Sequence, residues 1–334
     1  MRLKAIFFTN SPPAFVYRVY SAAVREQLAR EITLAPDVVS RDMLGRLDLR
    51  DVEVLFSTWG MPALNEAEIE AHFPSLRSIF YAAGSVQGFA RPFLRRGVRV
   101  FSAWGANAVP VAEFTVAQIL LANKGFFPSE GMMKAAGRPA ARHCAEAFPG
   151  NFGARVGLIG CGMIGSLVAQ MLRSYRLEVL ACDPYLSDAR AGELGVTRCS
   201  LEGLFAGCQT ISNHLADNEQ TRGMLHYGLF RLMRPNAVFI NTGRGAQVVE
   251  ADLIRALKEA PGRTALLDVT HPEPPAPGSE LYALPNVILT PHIAGSMGEE
   301  VARMGEFMAN EFAALLHGRA TRYEVTMDML ETMA

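Results

Sequence analysis

The chain has 334 residues, of which 50% are hydrophobic and 19% are charged, and its formal net charge is −1 at pH 7. This length predicts two domains of ordinary size, each with its own core, and the near-neutral charge gives no long-range attraction to nucleic acid or to an anionic membrane surface. The five cysteines form no CxxC pair. We therefore expect reduced thiols in an intracellular protein, with no disulfide framework and no metal site.

The first hundred residues alternate between strand and helix patterns. Buried strands are predicted for LKAIFF, VEVLFS, LRSIFYA and VRVFSA, with amphipathic stretches such as 65–72 between them. The N-terminal MRLKAIFFTNSPP is short and soon interrupted, so it predicts a first strand and turn and not a signal peptide. This region is predicted to be a small parallel α/β domain.

The middle of the chain contains its most apolar segment. Residues 109–124 are apolar on most faces and predict a helix that is buried or faces another subunit. The apolar run contains Glu113 and is shorter than the ~20 residues that a membrane-spanning helix needs, so we expect a soluble cytoplasmic protein. Residues 125–155 are rich in Gly, Pro and Ala and are predicted to be a connecting arm and loop.

Six strand patterns then follow between Arg155 and about Ala294, and they predict a doubly wound parallel sheet. They are RVGLIG, LEVLACD, QTISNHL, AVFINTG, TALLDVT and NVILT. A final amphipathic helix over 297–317 is expected to pack back on the first domain. We place one domain at 1–106 plus 296–334 and the other at 107–295.

The segment VGLIGCGMIGS combines a strand, a glycine turn and the start of a helix. In such a turn Gly160 allows the bend, Gly162 lets the backbone approach a pyrophosphate, and Gly165 lets the helix pack close to the strand. Asp183 follows about twenty residues later, where an acid accepts the ribose hydroxyls and repels a 2′-phosphate. The pattern predicts dinucleotide binding, with NAD favoured over NADP. The alternative is a Rossmann-like domain without a dinucleotide, in which Asp183 only caps the backbone.

Three reactive side chains follow the last three strand patterns: Arg244, Glu273 and His292. The carboxyl ends of parallel strands meet at one edge of a sheet, where ligands bind. His292 can give and take a proton near neutral pH, and Glu273 in the proline-rich turn HPEPPAP would fix the tautomer of its ring. The alternatives are a structural hydrogen-bonding role for His292 and a plain surface acid at Glu273.

Arg244 lies between two glycines in NTGRGAQVVE. We expect these glycines to keep the backbone open, so that the guanidinium reaches outward. Its planar fork suits bidentate binding of a carboxylate. The alternative is a salt bridge to a nearby acid such as Glu250.

The segments GLIGCGMIGS, INTGRG, LLDVTHPEPP and ILTPHIAGS resemble, in order and approximate spacing, the sequence blocks of the D-isomer-specific 2-hydroxyacid dehydrogenases. The resemblance extends over nearly the whole chain. It implies two Rossmann-like or flavodoxin-like α/β domains with parallel sheets, an active site in the interdomain cleft, and a homodimer. It also implies that Arg244 binds the substrate, His292 is the acid/base, Glu273 is its partner and Asp183 holds the adenosine ribose of NAD.

The resemblance implies further roles outside this set. Asp268, at the end of TALLDVT, would lie near the nicotinamide, and Asn107 matches a substrate-side position. A loop in the first domain would present backbone N–H groups to the substrate carboxylate, those of Gly84, Ser85 and Val86. The remaining positions that we assign to the cofactor site are Met163, Ile164, His214, Thr242 and Gly243.

Two departures from the family pattern concern its pockets. Ala216 stands where the family commonly has proline, which affects the expected adenine-side wall. Trp59 stands in a loop where members that take phosphorylated acids have basic residues, so a phosphorylated substrate is not expected. We assign Trp59 to the substrate site, with a place in the core as the alternative.

Other activities of related proteins give two rival predictions, a binding protein and a dehydrogenase of formate or phosphite. An NAD(H)-sensing, corepressor-like binding protein would need a partner-docking groove or extended tails, which the sequence does not indicate. Formate dehydrogenases have an amide in place of the histidine's carboxylate partner, which Glu273 opposes. A phosphite-type dehydrogenase keeps the Arg, Glu and His set and stays open as an alternative.

Overall fold

A computed structural model of the chain describes residues 2–331. The chain divides into two compact units, Met1–Ala108 with Ser296–Ala334, and Val109–Gly295. The predicted boundaries were 106/107 and 295/296. Each unit is built on one sheet with helices on both faces, as expected for an α/β protein.

The strands in chain order are β1 (Lys4–Phe8), β2 (Thr33–Val39), β3 (Val54–Ser57), β4 (Ser78–Tyr81), β5 (Arg99–Ser102), β6 (Phe152–Ile159), β7 (Arg176–Cys182), β8 (Thr197–Arg198), β9 (Thr210–Asn213), β10 (Val238–Asn241), β11 (Thr264–Leu267), β12 (Val287–Leu289) and β13 (Glu324–Val325). The α-helices are α1 (Pro13–Val19), α2 (Ala22–Glu31), α3 (Glu66–His72), α4 (Ala90–Arg95), α5 (Trp104–Asn123), α6 (Phe126–Glu146), α7 (Met163–Leu172), α8 (Asp188–Leu194), α9 (Leu201–Gly207), α10 (Tyr227–Phe230), α11 (Glu250–Glu259) and α12 (Glu300–Leu316).

The first unit has a 6-stranded sheet in the order β13-β5-β4-β3-β1-β2. The strands β2-β1-β3-β4-β5 are parallel and follow the flavodoxin-like order, in which ligands bind beyond the carboxyl ends of the strands. The four strands predicted for this region correspond to β1, β3, β4 and β5.

Two strands of this sheet were not predicted. The edge strand β2 contains Pro36 and has mostly exposed or half-exposed side chains, so it lacks the continuous apolar run of a buried strand. The two-residue strand β13 pairs antiparallel with β5 and covers the opposite edge. A strand of two residues such as β13 is too short to give a periodic signal.

The core of the first unit is rich in phenylalanine. Phe80 stacks on Phe101 with ring centroids 4.7 Å apart, and Phe312 of α12 packs edge-on against Phe56 and Phe80 at 5.6 and 5.4 Å. Each fully buried ring contributes roughly 2–3 kcal/mol of transfer free energy. The final helix therefore packs on the first unit, as predicted, and ends shortly before Gly318, whose φ is +64°.

The second unit has a 7-stranded parallel sheet in the order β12-β11-β10-β9-β6-β7-β8. The six predicted strands are present, and β8 adds a short edge strand that was not predicted. From β6 the chain adds β7 and β8 toward one side of the sheet. It then returns to the other side of β6 and adds β9 to β12 there, so the order of the strands reverses between β6 and β9. This is the doubly wound arrangement, whose ligand site lies at that reversal.

Helix α5 begins earlier than the predicted helix over 109–124. Among residues 2–331 it is the one helix long and apolar enough to cross a membrane by length and composition, although 61% of its most apolar window is buried inside the protein. A core helix passes the same test, so one such helix is weak evidence for a membrane span. The predicted helix over 109–124 already included Pro110, and the structure adds the helical residues 104–108 before it.

The prediction of a loop over 125–155 was wrong. Residues 126–146 form α6, which is kinked at Gly137, where φ is 77° and ψ is −178°. Gly137 and Pro139 both lie at this kink, and the flanking segments contain helix-favouring Ala, Met, Lys, Arg and Glu residues. Counting glycine and proline over the whole stretch concealed two helical halves.

Candidate active site

The predicted reactive residues lie beyond the carboxyl ends of neighbouring strands in the second unit. Arg244 follows β10, Glu273 follows β11 and His292 follows β12, and these three strands are adjacent and parallel. The glycine turn follows β6 and Asp183 follows β7, on the other side of the reversal point. Because these strands are all parallel, the five features lie along one edge of the sheet.

His292 and Glu273 form a hydrogen-bonded pair. The imidazole Nδ1–H of His292 donates to Oε1 of Glu273 at 2.6 Å, and the two side chains are 47% and 42% exposed. The ring nitrogen Nε2 has no partner among residues 2–331. The pair therefore has a fixed tautomer and presents a free Nε2 to a ligand.

The backbone at His292 adopts a left-handed conformation, with φ of +56°. Such a conformation is uncommon outside glycine and is maintained by its surroundings. The buried carboxylate of Asp268 accepts hydrogen bonds from Thr290 Oγ1 (2.6 Å), Ile293 N (2.8 Å) and Ala294 N (2.9 Å). The carbonyl oxygen of Asp268 also accepts from His292 N at 3.0 Å.

These contacts assign Asp268 a role that the sequence analysis missed. Its side chain is 3% exposed and holds the loop on both sides of His292. A polar residue at the end of a buried strand was the only signal in the sequence, and it does not identify which loop receives the carboxylate.

Arg244 has a mostly unused guanidinium. One nitrogen, Nη1, donates to the carbonyl oxygen of Gly243 at 2.8 Å, and Arg244 makes no ion pair with any part of the chain between residues 2 and 331. The expected alternative partner, Glu250, instead accepts from Ser279 Oγ at 2.8 Å. The remaining N–H groups of the guanidinium fork are therefore left for a ligand.

The glycines beside Arg244 serve close packing, and the expectation that they keep the backbone open was wrong. A Cβ at Gly245 would overlap the backbone of Thr270, in the segment that leads to Glu273. A Cβ at Gly243 would lie 2.9 Å from Oε1 of Gln247. Both positions thus require the smallest residue because other groups approach the backbone on each side of Arg244.

The glycine turn has the geometry of a dinucleotide cradle. Gly160 has a φ of +87°, and a Cβ at Gly165 would overlap the carbonyl oxygen of Gly160. Gly162 caps α7, and nothing lies within 4 Å of the position that its Cβ would take. The turn is therefore tight on two sides and open in front of the helix N-terminus, where free N–H groups favour a phosphate.

Asp183 bonds the glycine turn through one carboxylate oxygen and its own loop through the other. Oδ2 accepts from Cys161 N and Oδ1 accepts from Tyr185 N, each at 2.7 Å. Each oxygen has a further lone pair for a ribose hydroxyl, so the capping role and the ribose role are compatible. Burial raises the pKa of the Cys161 thiol to about 12, so this group adds no negative charge beside the turn.

The other residues assigned to the cofactor site differ in exposure. Met163 is 42% exposed at the first turn of α7, followed by the half-buried Ile164. Thr242 is buried, with its hydroxyl 3.2 Å from that of Thr115. His214 is buried with Nε2 3.0 Å from Ser212 Oγ, and burial lowers the pKa of its imidazole from 6.5 to about 4. His214 is therefore neutral at pH 7.

Of the substrate residues assigned to the first unit, Gly84, Ser85 and Val86 lie in the loop after β4, and Asn107 lies in the first turn of α5, after β5. The backbone N–H groups of Gly84, Ser85 and Val86 donate to no acceptor in the described part of the chain. Asn107 has its Oδ1 occupied by the N–H of Ser296 at 2.9 Å, which leaves its Nδ2 near Gly84.

Trp59 follows β3 in the same unit. Its ring packs against Phe15 with centroids 5.8 Å apart, and its side chain is half-buried. Both the pocket and the core interpretations of Trp59 fit this position.

The chain matches a family model described as D-isomer specific 2-hydroxyacid dehydrogenase, NAD binding domain, over residues 116–294. It is 31% identical over 237 residues to a D-3-phosphoglycerate dehydrogenase of Archaeoglobus fulgidus, covering 71% of this chain and 44% of that protein. It is also 30% identical over 276 residues to a glyoxylate reductase of Korarchaeum cryptofilum, covering 81% of each. The chain spans about half the length of the D-3-phosphoglycerate dehydrogenases that it matches.

Solved structures share the fold. A probable 2-hydroxyacid dehydrogenase from Rhizobium etli CFN 42, in complex with NADP, HEPES and L(+)-tartaric acid, is 21% identical to this chain. It matches with a TM-score of 0.74 over 99% of this chain and 100% of that one.

Proposed function

The chain belongs to the D-isomer-specific 2-hydroxyacid dehydrogenase family, and from this premise we propose that it interconverts a 2-oxo acid and a D-2-hydroxy acid, with NAD as the hydride carrier. The observation that supports this most is the His292–Glu273 pair, whose nitrogen and oxygen are 2.6 Å apart. The two residues follow β12 and β11, the next two strands in the sheet after β10, which leads to Arg244. An acid/base and a carboxylate-binding cation beside a dinucleotide turn are the groups that this reaction needs.

The residues of the glycine turn fit a bound dinucleotide. The open space at Gly162 and the N-terminus of α7 would receive the pyrophosphate, and Asp183 would accept the ribose hydroxyls. His214, Thr242 and Gly243, with Met163 and Ile164, would complete the site. When bound, a reduced nicotinamide supplies the hydride that is added to the carbonyl carbon.

The chain's own residues would bind and polarise the substrate. Arg244 would take the substrate carboxylate on the free N–H groups of its fork. The unpaired N–H groups of Gly84, Ser85 and Val86 would also contact that carboxylate, as the family resemblance implies. Trp59 and Asn107 are proposed to line the remaining substrate surface.

The proton would come from His292. The Nε2–H bond of the imidazolium breaks and an O–H bond forms on the carbonyl oxygen as hydride reaches the carbon. Glu273 stabilises the imidazolium and keeps Nε2 pointed toward the substrate, while Asp268 holds the loop. Arg244 and protonated His292 both act on charge that grows in the transition state, where each such donor contributes about 3 kcal/mol.

We propose a substrate without a phosphate group. Some of the matched relatives are named for D-3-phosphoglycerate, but the loop at Trp59 offers no cation for a phosphate. The name glyoxylate reductase, given to the Korarchaeum relative that matches over 81% of its length, supports a small unphosphorylated 2-oxo acid.

We further propose a homodimer in the cytoplasm. Leu121, Phe126, Met132 and Met133, on α5 and α6, are large apolar side chains that are 39–51% exposed, which supports a subunit contact there. All five cysteines are free thiols, which supports a reducing compartment.

The test is oxidation of NADH and of NADPH by the purified protein with glyoxylate, pyruvate, hydroxypyruvate and phenylpyruvate. We expect turnover with NADH preferred, a D product by chiral chromatography, and a loss of about a hundredfold or more in His292→Ala with NADH affinity nearly unchanged. His143→Ala, an exposed histidine on α6, is the matched control and should keep full activity.

Each contrary outcome identifies what is wrong. Full turnover in His292→Ala would overturn the acid/base assignment, and a preference for NADPH would overturn the role of Asp183. Turnover of phosphite with NAD⁺ but of no 2-oxo acid would favour the phosphite-type alternative. NADH binding without any turnover would favour an NAD(H)-sensing protein.

A further inference from the structure

Gln247 has no part in the chemistry described above, yet it lies fully buried directly behind Arg244. We propose that Gln247 is a positioning residue that fixes Arg244 against the segment 213–216, and that it thereby sets how tightly the substrate carboxylate is bound. This inference rests on the proposed function, because it concerns the residue assigned to that carboxylate.

The amide of Gln247 uses all of its hydrogen-bonding capacity. Its Oε1 accepts from Arg244 N at 3.2 Å and from Asn213 Nδ2 at 2.5 Å. Its Nε2 donates to the carbonyl oxygens of Leu215 at 2.8 Å and Ala216 at 2.9 Å. A primary amide can accept two hydrogen bonds and donate two, so the orientation of this side chain is fully determined.

A second buried amide holds the other side of the Arg244 backbone. Asn241 is 1% exposed, and its Nδ2 donates to the carbonyl oxygen of Arg244 at 3.1 Å. Its Oδ1 accepts from Asn213 Nδ2 at 3.0 Å and from Gly243 N at 3.1 Å. Three buried amides therefore form one network, which binds both the N–H and the carbonyl group of Arg244.

The same network reaches the dinucleotide turn. Gln247 bonds the carbonyl oxygens of Leu215 and Ala216, and the preceding carbonyl oxygen, that of His214, lies 2.8 Å from where a Cβ of Gly160 would be. The backbone that supports Arg244 is thus packed, through one side chain and one short segment, on the turn that would hold the pyrophosphate.

The guanidinium itself has little support. Its one hydrogen bond inside residues 2–331 is from Nη1 to the neighbouring carbonyl oxygen of Gly243. The direction of a bidentate clamp must then be set by the backbone from which it extends, and a displacement of about 1 Å is enough to lower catalysis strongly. Loss of the Gln247 amide should therefore act on substrate binding through Arg244.

The experiment compares Gln247→Met with Gln209→Met. Gln209 is also a buried glutamine whose Nε2 donates to a backbone carbonyl, that of Asn236 at 2.6 Å, but it lies at the amino end of β9, away from the site. Both variants should lower the urea midpoint of unfolding. Only Gln247→Met should raise the KM of the 2-oxo acid, by about tenfold or more, with a smaller change in kcat.

A double-mutant cycle shows whether Gln247 acts through Arg244. In the Arg244→Ala background, adding Gln247→Met should change kcat/KM less than twofold, because the residue that it positions is gone. An equal loss in both backgrounds, or an equal rise in KM in Gln209→Met, would overturn the inference. If Gln247→Met does not fold, Gln247→Asn keeps an amide one methylene short and should show the same KM effect.

A crystal structure separates this inference from the proposed function. We expect the Arg244 backbone to be displaced in Gln247→Met and unchanged in Gln209→Met, whether or not the protein reduces a 2-oxo acid. An undisplaced Arg244 overturns the inference. A wild-type protein that reduces no 2-oxo acid, or an Arg244→Ala variant with an unchanged KM, instead overturns the proposed function.

Discussion

The two sheets end in loops of opposite character. Beyond β10, β11 and β12 the second unit has a cation, a carboxylate and an imidazole, and buried polar side chains support the backbone at the cation and beside the imidazole. Beyond β1, β3, β4 and β5 of the first unit, the segments 9–12, 58–64, 82–89 and 103–107 contain no charged residue, and the last of them includes the first turn of α5. These neutral loops offer the free N–H groups of Gly84, Ser85 and Val86 and the ring of Trp59.

The difference shows what each kind of edge requires. A charged side chain in a reactive site must be held in one orientation. Asp268 and Gln247 are buried, and their hydrogen bonds hold the backbone beside His292 and at Arg244.

A recognition edge made of backbone N–H groups has no charged side chain to aim, although the buried hydroxyls of Thr58 and Ser102 hold its backbone by donating to the carbonyl oxygens of Ala82 and Ala83. The edge of the second unit should therefore lose activity when the buried polar residues behind its charged side chains are replaced. The edge of the first unit should tolerate changes of those loop side chains that do not hold its backbone.

The largest expected effect comes from removing the support of His292. Asp268→Leu would leave three donors without an acceptor, and each unsatisfied buried donor costs roughly 1–3 kcal/mol. We expect a loss of about a hundredfold in kcat together with lower stability. Asp268→Asn can still accept from Thr290 and Ile293 but faces Ala294 N with its NH₂ group, so its loss should be smaller.

The matched control is Asp252→Leu, which removes another carboxylate that accepts from a backbone N–H, that of Tyr227 at 2.9 Å. This variant should lower the stability but leave kcat unchanged when kcat is calculated per folded molecule. The amount of folded protein is taken from the stoichiometry of NADH binding. Equal kcat losses in Asp252→Leu and Asp268→Leu would mean that the support of His292 is not specific.

Strands and helices could be predicted where the residues of the element itself determine it, and were missed where they do not. The central strands of both sheets were predicted because burial on both faces gives a continuous apolar run. Strands β2, β8 and β13 lie at sheet edges and give no such signal, and α6 was missed because its glycine and proline mark a kink inside a helix.

The site divides in the same way. The places of Arg244, Glu273 and His292 at strand ends were predicted, since the carboxyl ends of parallel strands meet at one edge of a sheet. The roles of Asp268 and Gln247 were not, because they depend on which backbone groups of distant loops lack partners once the chain is folded. Only the structure shows that the N–H of Ala294 and the carbonyl oxygen of Leu215 are those groups.

The second expected effect concerns His214, a buried polar residue of the second unit, and the dependence of stability on pH. Burial lowers the pKa of His214 from 6.5 to about 4 in the folded protein, so between these values the unfolded chain binds the additional proton. The contribution of His214 to the free energy of unfolding should therefore be fully present above pH 6.5 and decrease as the pH drops toward 4. For this group alone the decrease between pH 7 and pH 5 should be about 2 kcal/mol.

Urea unfolding at pH 7 and pH 5 measures this contribution. His214→Asn does not titrate and should lose about 2 kcal/mol less than the wild type over that interval, whereas the exposed His143→Asn should behave like the wild type. An identical pH dependence in all three proteins would show that His214 is protonated as easily in the folded chain as in the unfolded one.

The smallest expected effect tests the neutral edge. The backbone at Trp59 is held by Thr9 Oγ1 and Ser11 Oγ, which both donate to its carbonyl oxygen at 2.7 Å, so a new side chain leaves these bonds intact. Trp59→Arg adds a cation to a loop that has none and should raise the preference for the 3-phosphate of hydroxypyruvate over hydroxypyruvate by about tenfold. Trp59→Leu removes the ring without adding charge and should leave the ratio unchanged. A wild-type protein that already prefers the phosphorylated acid would mean that this edge is not what excludes phosphate, because a cation outside these loops would then be binding it.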